Sequence, residues 1–244
     1  MALTPDALKL VQLGLHASAQ AGCESQTVLS LGYPDILIGA DELESLLGSD
    51  VAAAMSYRDD SGAIARWHGL PESTRIPEAV AFFALLGYDL EVLDVAVLRG
   101  GEFMHDLNQP VPERLHRRYA LVMDAGTLEH CFNIAQAAMN VAQMVAPAGL
   151  VFHGNPLNMY NHGFYNLNPT WYRDFYVANG FEIEALHAIS DPVRARKLYA
   201  VPQTQRFRDA LPESSLYVLA RRVSEKPIVW PVQTKYARNP NLKA

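Results

Sequence analysis

"MHDLNQPVPERLHRRYALVMDAGTLEHCFN" (residues 104–133) contains two apolar stretches, each running into an aspartate. Glu102-Phe103-Met104-His105 leads to Asp106, and Tyr119-Ala120-Leu121-Val122-Met123 leads to Asp124, with Glu129-His130 close behind. Short apolar runs bounded by polar residues read as buried strands. A carboxylate at the end of a buried strand needs a reason, because charge removed from water is costly unless something uses it.

Outward from this stretch, helix and strand signals alternate. Thr4 is placed to cap a helix with Pro5 at its first position and Leu8, Val11 and Leu15 on one face, closed by Gly22. "TVLSLG" (27–32) reads as the first buried strand, and Asp41 with Glu44 as a capping box for a short helix through Leu47. Residues 48–76 break every period and are expected to form an irregular insert over an opening. Pro77 starts an apolar helix that Gly87 closes, and "LEVLDV" (90–95), "GEFMHD" and "YALVMD" follow as the second to fourth strands. Asn133, with Gln136 in the reciprocal position, caps a helix whose Ile134, Ala138, Val141 and Val145 share a face. Pro147 and Gly149 end that helix before "GLVFHG", the fifth strand. Asn168-Pro169 opens another helix that ends at Gly180, and "FEIEALHAI" and "SSLYVLARRV" supply the last strands. Such alternation predicts one α/β domain over 1–244, a doubly wound, mostly parallel sheet between two helical layers.

Composition narrows the function classes. Half of the 244 residues are apolar and the net charge is -6, with Arg117-Arg118 and Arg221-Arg222 as isolated basic pairs. No nucleic-acid surface and no membrane patch is expected from such a chain. The first residues lack a basic segment followed by an unbroken apolar core, so no secretory signal is expected. Cys23 and Cys131 have no metal or redox spacing, which predicts two free thiols in a reducing cytoplasm.

In open parallel sheets, ligands bind outside the carboxyl ends of the strands. That filter collects Gly32 and Tyr33, Asp94, Asp106, Asp124 with Gly126, and His153 with Asn155 on one edge. A carboxylate ending the second strand can accept both hydroxyls of a ribose. Asp106 with Leu107 can meet an adenine, the acid on its amine and the leucine on its ring. The competing reading is that each aspartate caps its own loop.

"LEVLDV", the 104–133 stretch, "VAPAGLVFHGNPLNMYNHGFYNLNP" and "VANGFEI" together resemble the class I S-adenosylmethionine-dependent methyltransferases, closest to the small-molecule branch. The likeness covers roughly residues 77–190. It implies a three-layer, Rossmann-like fold with a mostly parallel seven-stranded sheet and an antiparallel last strand. It also implies S-adenosylmethionine as cofactor, with Asp94 on the ribose, Asp106 and Leu107 at the adenine, and Asp124, Ala125 and Gly126 along the methionine part. Gly32 and Tyr33 would close the first-strand turn. One motif departs from the family. Where an acid and a glycine-rich turn are usual, "VLSLGYPDIL" has Ser30 and a single glycine, Gly32, so either Asp35 or the 48–76 insert substitutes, or the site is remodelled or lost.

The expected reaction is methylation of a small polar acceptor at oxygen or nitrogen. His130, oriented by Glu129, and His162, in the Asn- and Tyr-rich loop after the fifth strand, are the expected bases. Two other readings compete: use of the adenosyl cofactor for another reaction or as a scaffold, and a metal-dependent hydrolase built on Asp124, His130, His153 and His162. No pair of these has tight helical spacing, and no metal is expected. A nicotinamide dehydrogenase is disfavoured because no GxGxxG follows a strand.

Overall fold

Successive residues of the central strands point into two different cores, and this alternation builds three layers. The computed structural model describes residues 2–190, 196–203, 205–239 and 241. In chain order the first elements are β1 (Ala2–Leu3), α1 (Pro5–Gln20), β2 (Thr27–Leu31), β3 (Asp35–Ile36), α2 (Ala40–Leu47), α3 (Ser49–Ala53), α4 (Ser61–Trp67) and α5 (Ala79–Leu85). They are followed by β4 (Asp89–Asp94), β5 (Phe103–Met104), β6 (Tyr119–Asp124), α6 (Ile134–Met144), β7 (Val145–Pro156) and α7 (Pro169–Ala178). The last are β8 (Phe181–Ser190), β9 (Lys197–Ala200), β10 (Ser214–Arg222) and α8 (Thr234–Ala237). On one face Leu29, Val122, Val151 and Val218 pack with Ala138 and Val141 of α6 and Tyr172 and Tyr176 of α7. On the other, Val28, Leu121, Phe152 and Leu219 pack with Leu8 and Val11 of α1 and Phe82 and Phe83 of α5.

The main sheet has the order β5-β4-β2-β6-β7-β10-β8-β9. The first five strands pair in parallel, β10 runs antiparallel to both β7 and β8, and β9 is antiparallel to β8. Seven strands with the last one reversed match the expected plan, and β9 is an eighth on the edge. This is a Rossmann-like, three-layer α/β fold. The chain starts the sheet at β2, builds outward through β4 and β5, then crosses back to β6 on the other side. The order therefore switches between β2 and β6, and the crevice beyond their carboxyl ends is where such sheets hold ligands.

Several local expectations shift. The start of α2 is set by Gly39, whose N–H donates to Glu42, and not by Asp41 with Glu44. Asn133 does cap α6 through the Gln136 N–H, but the Gln136 side chain turns to Asn140 instead of reaching back. Pro147 and Gly149 lie inside β7, which begins at Val145; Ala148 takes φ 57° and the register shifts there. Gly149 is needed because a Cβ would sit 2.9 Å from the Tyr119 carbonyl oxygen. The 48–76 insert is more regular than expected, holding α3 and α4. Its Ile64 and Ile76 form a small core with Leu37.

Candidate functional site

The turn after β2 sets the floor of the crevice. Gly32 has φ 87°, the left-handed region that favours glycine, and its N–H donates to the Leu93 carbonyl at 2.8 Å. A Cβ there would lie 3.5 Å from Oδ2 of Asp94. The Asp94 carboxylate therefore reaches across the glycine turn, while its Oδ1 accepts from the Ala96 N–H. On the β6 side, Gly126 also has φ 101°, and the Thr127 hydroxyl donates to the Leu31 carbonyl at 2.6 Å. Ser30, in the expected acid's place, is buried and donates to the Gly32 carbonyl, tightening the same turn.

Tyr33 is held among charged side chains. Its ring lies under Arg58 and Arg99, its hydroxyl donates to Glu78, and burial together with that carboxylate raises its pKa. Tyr33, Asp35, Arg58, Asp60, Leu98 and Arg99 line a cleft of about 550 Å³ beside the crevice. Asp35 accepts from Arg58 at 2.5 Å and lies 2.9 Å from His68 Nε2, so its carboxylate is already engaged. What the insert adds at this edge is Arg58, itself nearly buried.

Asp106 is exposed and turned onto its own loop. It accepts from the Asn108 N–H at 2.9 Å and the Asn108 side chain at 2.7 Å, and these bonds hold its pKa below the ordinary value. Leu107 is buried in the core, and its carbonyl accepts from Asn140, which leaves little of its side chain for a base.

Asp124 is fully buried and saturated. One oxygen accepts from the N–H groups of Thr127 at 2.9 Å and Leu128 at 3.1 Å. The other meets His153 Nδ1 at 2.7 Å and accepts from Asn155 at 2.9 Å. Burial alone would raise its pKa, but these partners, His153 foremost, hold it below the ordinary value. His153 Nε2 meets the Tyr176 hydroxyl at 2.6 Å, so a neutral ring donating to Asp124 and accepting from Tyr176 satisfies both nitrogens. Asn155 accepts from the Tyr172 hydroxyl at 2.5 Å and donates to Glu129 Oε2 at 2.9 Å. Asp124 therefore has both oxygens engaged by protein donors; Ala125 beside it is buried in the core, and Gly126 and Thr127 are partly exposed.

Glu129 stands at the top of this buried network. It lies in a 3-10 turn, Leu128–His130, and is fully buried. Burial, then the charge of Asp124, raises its pKa to about 7. Its Oε1 makes no hydrogen bond among the described residues, yet His162 Nε2 lies 3.4 Å away and His130 Nε2 3.9 Å away. The two imidazole rings are neighbours, 5.4 Å between centres, and burial followed by the His162 charge lowers the His130 pKa. His162 is brought here by the 157–168 loop. The Phe164 N–H donates to the Glu129 carbonyl, Phe132 and Phe164 stack edge to face, and the Tyr165 hydroxyl donates to the Phe132 carbonyl. The same loop lines a cleft of about 800 Å³ with Asn158, Tyr160, His162 and Glu213. The structure thus unites Glu129, His130 and His162, and separates them from Asp124 and His153, which pair with each other.

No family model matches the chain, and no curated protein matches it. Among solved structures it is similar to the Burkholderia thailandensis 1,6-didemethyltoxoflavin-N1-methyltransferase with bound 1,6-didemethyltoxoflavin and S-adenosylhomocysteine. That match has 12% identity over 89% of this chain and 78% of the other, at TM-score 0.45. It is also similar to the trans-methyltransferase CalH in complex with SAH, at 13% identity over 89% of this chain and 55% of the other, TM-score 0.42. A third is the 16S rRNA (adenine(1408)-N(1))-methyltransferase from Catenulisporales acidiphilia, at 12% identity over 92% and 95%, TM-score 0.38. Likenesses this distant carry no chemistry, which has to come from the site. No helix among the described residues is long and apolar enough to cross a membrane.

Proposed function

We propose that the chain is an S-adenosylmethionine-dependent methyltransferase acting on a small polar acceptor. The observation that carries this reading is the pairing of Gly32 with Asp94 at the sheet's switch point. A turn without a Cβ there lets a ligand approach backbone, and a carboxylate facing it can accept both hydroxyls of a ribose. When bound, the cofactor supplies an electrophilic methyl carbon on its sulfonium. The residues fit the nucleoside half through Gly32 and Asp94. For the amino-acid half, Arg99 in the neighbouring cleft is the partly exposed cation suited to a carboxylate, since Arg58 is already held by Asp35 and Asp60.

The acceptor would enter by the cleft of the 157–168 loop, where the exposed Tyr160 can hold a polar group. Transfer to a neutral oxygen or nitrogen would form a bond to the methyl carbon as its bond to sulfur breaks, leaving a neutral thioether, and would release the acceptor's proton. His162 Nε2 takes that proton, and the Glu129 carboxylate 3.4 Å away stabilises the imidazolium. His130 is the neighbouring imidazole and can serve the same end. Positioning contributes most of the rate under this reading.

Calorimetric titration of the chain with S-adenosylhomocysteine tests it. Binding at one site is expected; no heat and no rise in Tm at millimolar ligand would favour the scaffold reading.

A further inference from the structure

The residues assigned to the acceptor's proton also form an arrangement that asks for a ligand of its own, and an ion held there would replace His162 as the base. Oε1 of Glu129 is buried, has no hydrogen bond among the described residues, and has the Nε2 atoms of His130 and His162 turned toward it. We infer that Glu129, His130 and His162 form a binding site for a divalent transition-metal cation. All three ligand atoms lie within 4.8 Å of one another. A cation with bonds of about 2.0–2.1 Å sets tetrahedral ligand atoms about 3.3 Å apart. The Glu129–His162 separation of 3.4 Å already matches, and the Glu129–His130 separation of 3.9 Å needs a small closure of an exposed ring.

The donor set selects the ion. Two imidazoles and one carboxylate suit zinc, cobalt, manganese or iron, whereas magnesium and calcium prefer oxygen shells. Three protein ligands also leave coordination positions open, as in catalytic zinc sites. Those positions would face the 157–168 cleft that His162 lines.

Two features hold the ligands in place before any ion arrives. Asn155 donates to Glu129 Oε2 at 2.9 Å and so aims Oε1 at the histidines, the outer support that metal-bound carboxylates need. Gly163 allows the loop to sit directly on the 3-10 turn, since a Cβ there would come within 2.9 Å of the Glu129 carbonyl oxygen. The next N–H, that of Phe164, then bonds that oxygen at 2.8 Å. His162 is therefore fixed beside Glu129 by backbone packing and not by its own charge.

The test uses the full chain stripped with EDTA and titrated with zinc alone, without adenosyl cofactor, so its outcome is separate from that of the methyltransferase reading. One equivalent of zinc should bind, cobalt should give the visible absorption of a site with nitrogen and oxygen ligands, and excess magnesium should not displace either. His130→Ala and His162→Ala alter half-exposed side chains and should fold normally; each should weaken zinc at least tenfold, and the double variant should bind none. His16→Ala, far along α1, should bind as the parent does. Absence of stoichiometric binding, or unchanged affinity in both single variants, would overturn the site.

Discussion

Asp124 and His153 are register partners on the parallel strands β6 and β7, and their side chains meet at 2.7 Å with no solvent exposure. Both ends of the pair are further satisfied, Asp124 by two backbone N–H groups and Asn155, His153 by Tyr176. The pair is thus the root of a polar network that reaches Glu129 through Asn155. An amide in place of the carboxylate removes the charge and one acceptor while keeping the shape. Asp124→Asn would aim an amide N–H at donors on His153 or Asn155. The expected loss is about 3 kcal/mol of unfolding free energy. Urea denaturation measures it, and a loss under about 1 kcal/mol would mean the network relaxes around the change.

Glu129 makes stability depend on pH in a defined direction. Its ordinary pKa is 4.5 and its folded pKa about 7, so the folded state binds the extra proton between these values. Stability from this group is therefore complete below pH 4.5, falls as the pH rises, and is lost above about 7, an effect of about 3 kcal/mol. Asp124, held below its ordinary value, acts oppositely and loses its stabilising contribution only in acid. In EDTA, Glu129→Gln should flatten the decline between pH 5 and pH 8 and leave the variant about 2 kcal/mol more stable than the parent at pH 8. Parallel curves for the two proteins would show that Glu129 is not the titrating group.

Asp94 and Asp106 should separate on ligand binding. Asp94 faces the glycine turn, whereas Asp106 spends its oxygens on Asn108. Asp94→Ala should cut S-adenosylhomocysteine affinity at least a hundredfold, the cost of leaving two hydroxyls without an acceptor. Asp106→Ala should cost about 1 kcal/mol of stability through its loop and change affinity less than fivefold. Calorimetry decides, and equal losses in both variants would put Asp106 on the ligand.

The same contrast shows what could be read before the structure. The strands β2, β4, β6, β8 and β10 were legible because their apolar runs are long and sharply bounded, and with them came the strand ends. The two-residue β1 and β3, and the short α3 and α4, carry too few residues to leave a period. β9 exists only by pairing with β8, a contact distant from local pattern. At the site, adjacency marked Glu129-His130, and the Asn- and Tyr-rich loop marked His162. What stayed hidden was which carboxylates are exposed: Asp94 and Asp124 end strands and Asp106 lies two residues past β5, yet the first faces the crevice, Asp124 is buried and saturated, and Asp106 caps its loop. Tyr172 and Tyr176 lie on a helix face that reads as ordinary core, and only their hydroxyl partners reveal them as part of the network.

Gly163 offers a way to move His162 without touching any ionisable group. An added Cβ would meet the Glu129 carbonyl oxygen at 2.9 Å and Cγ at 3.0 Å, and neither atom can retreat, because Asn155 holds the Glu129 carboxylate and the Phe164 N–H holds its carbonyl. The loop must therefore lift, which breaks the Phe164 bond and opens the Phe132–Phe164 contact. Overpacking of this kind costs about 1–3 kcal/mol. Asp94 and Gly32 lie on other strands, so Gly163→Ala should keep S-adenosylhomocysteine affinity within about twofold while Tm falls by several degrees. Because His162 leaves Glu129 as the loop lifts, the ring-to-ring nuclear Overhauser contacts between His130 and His162, whose centres lie 5.4 Å apart, should be present in the parent and lost in the variant. An unchanged Tm together with unchanged His130–His162 contacts would mean that the loop never rested on the Glu129 turn.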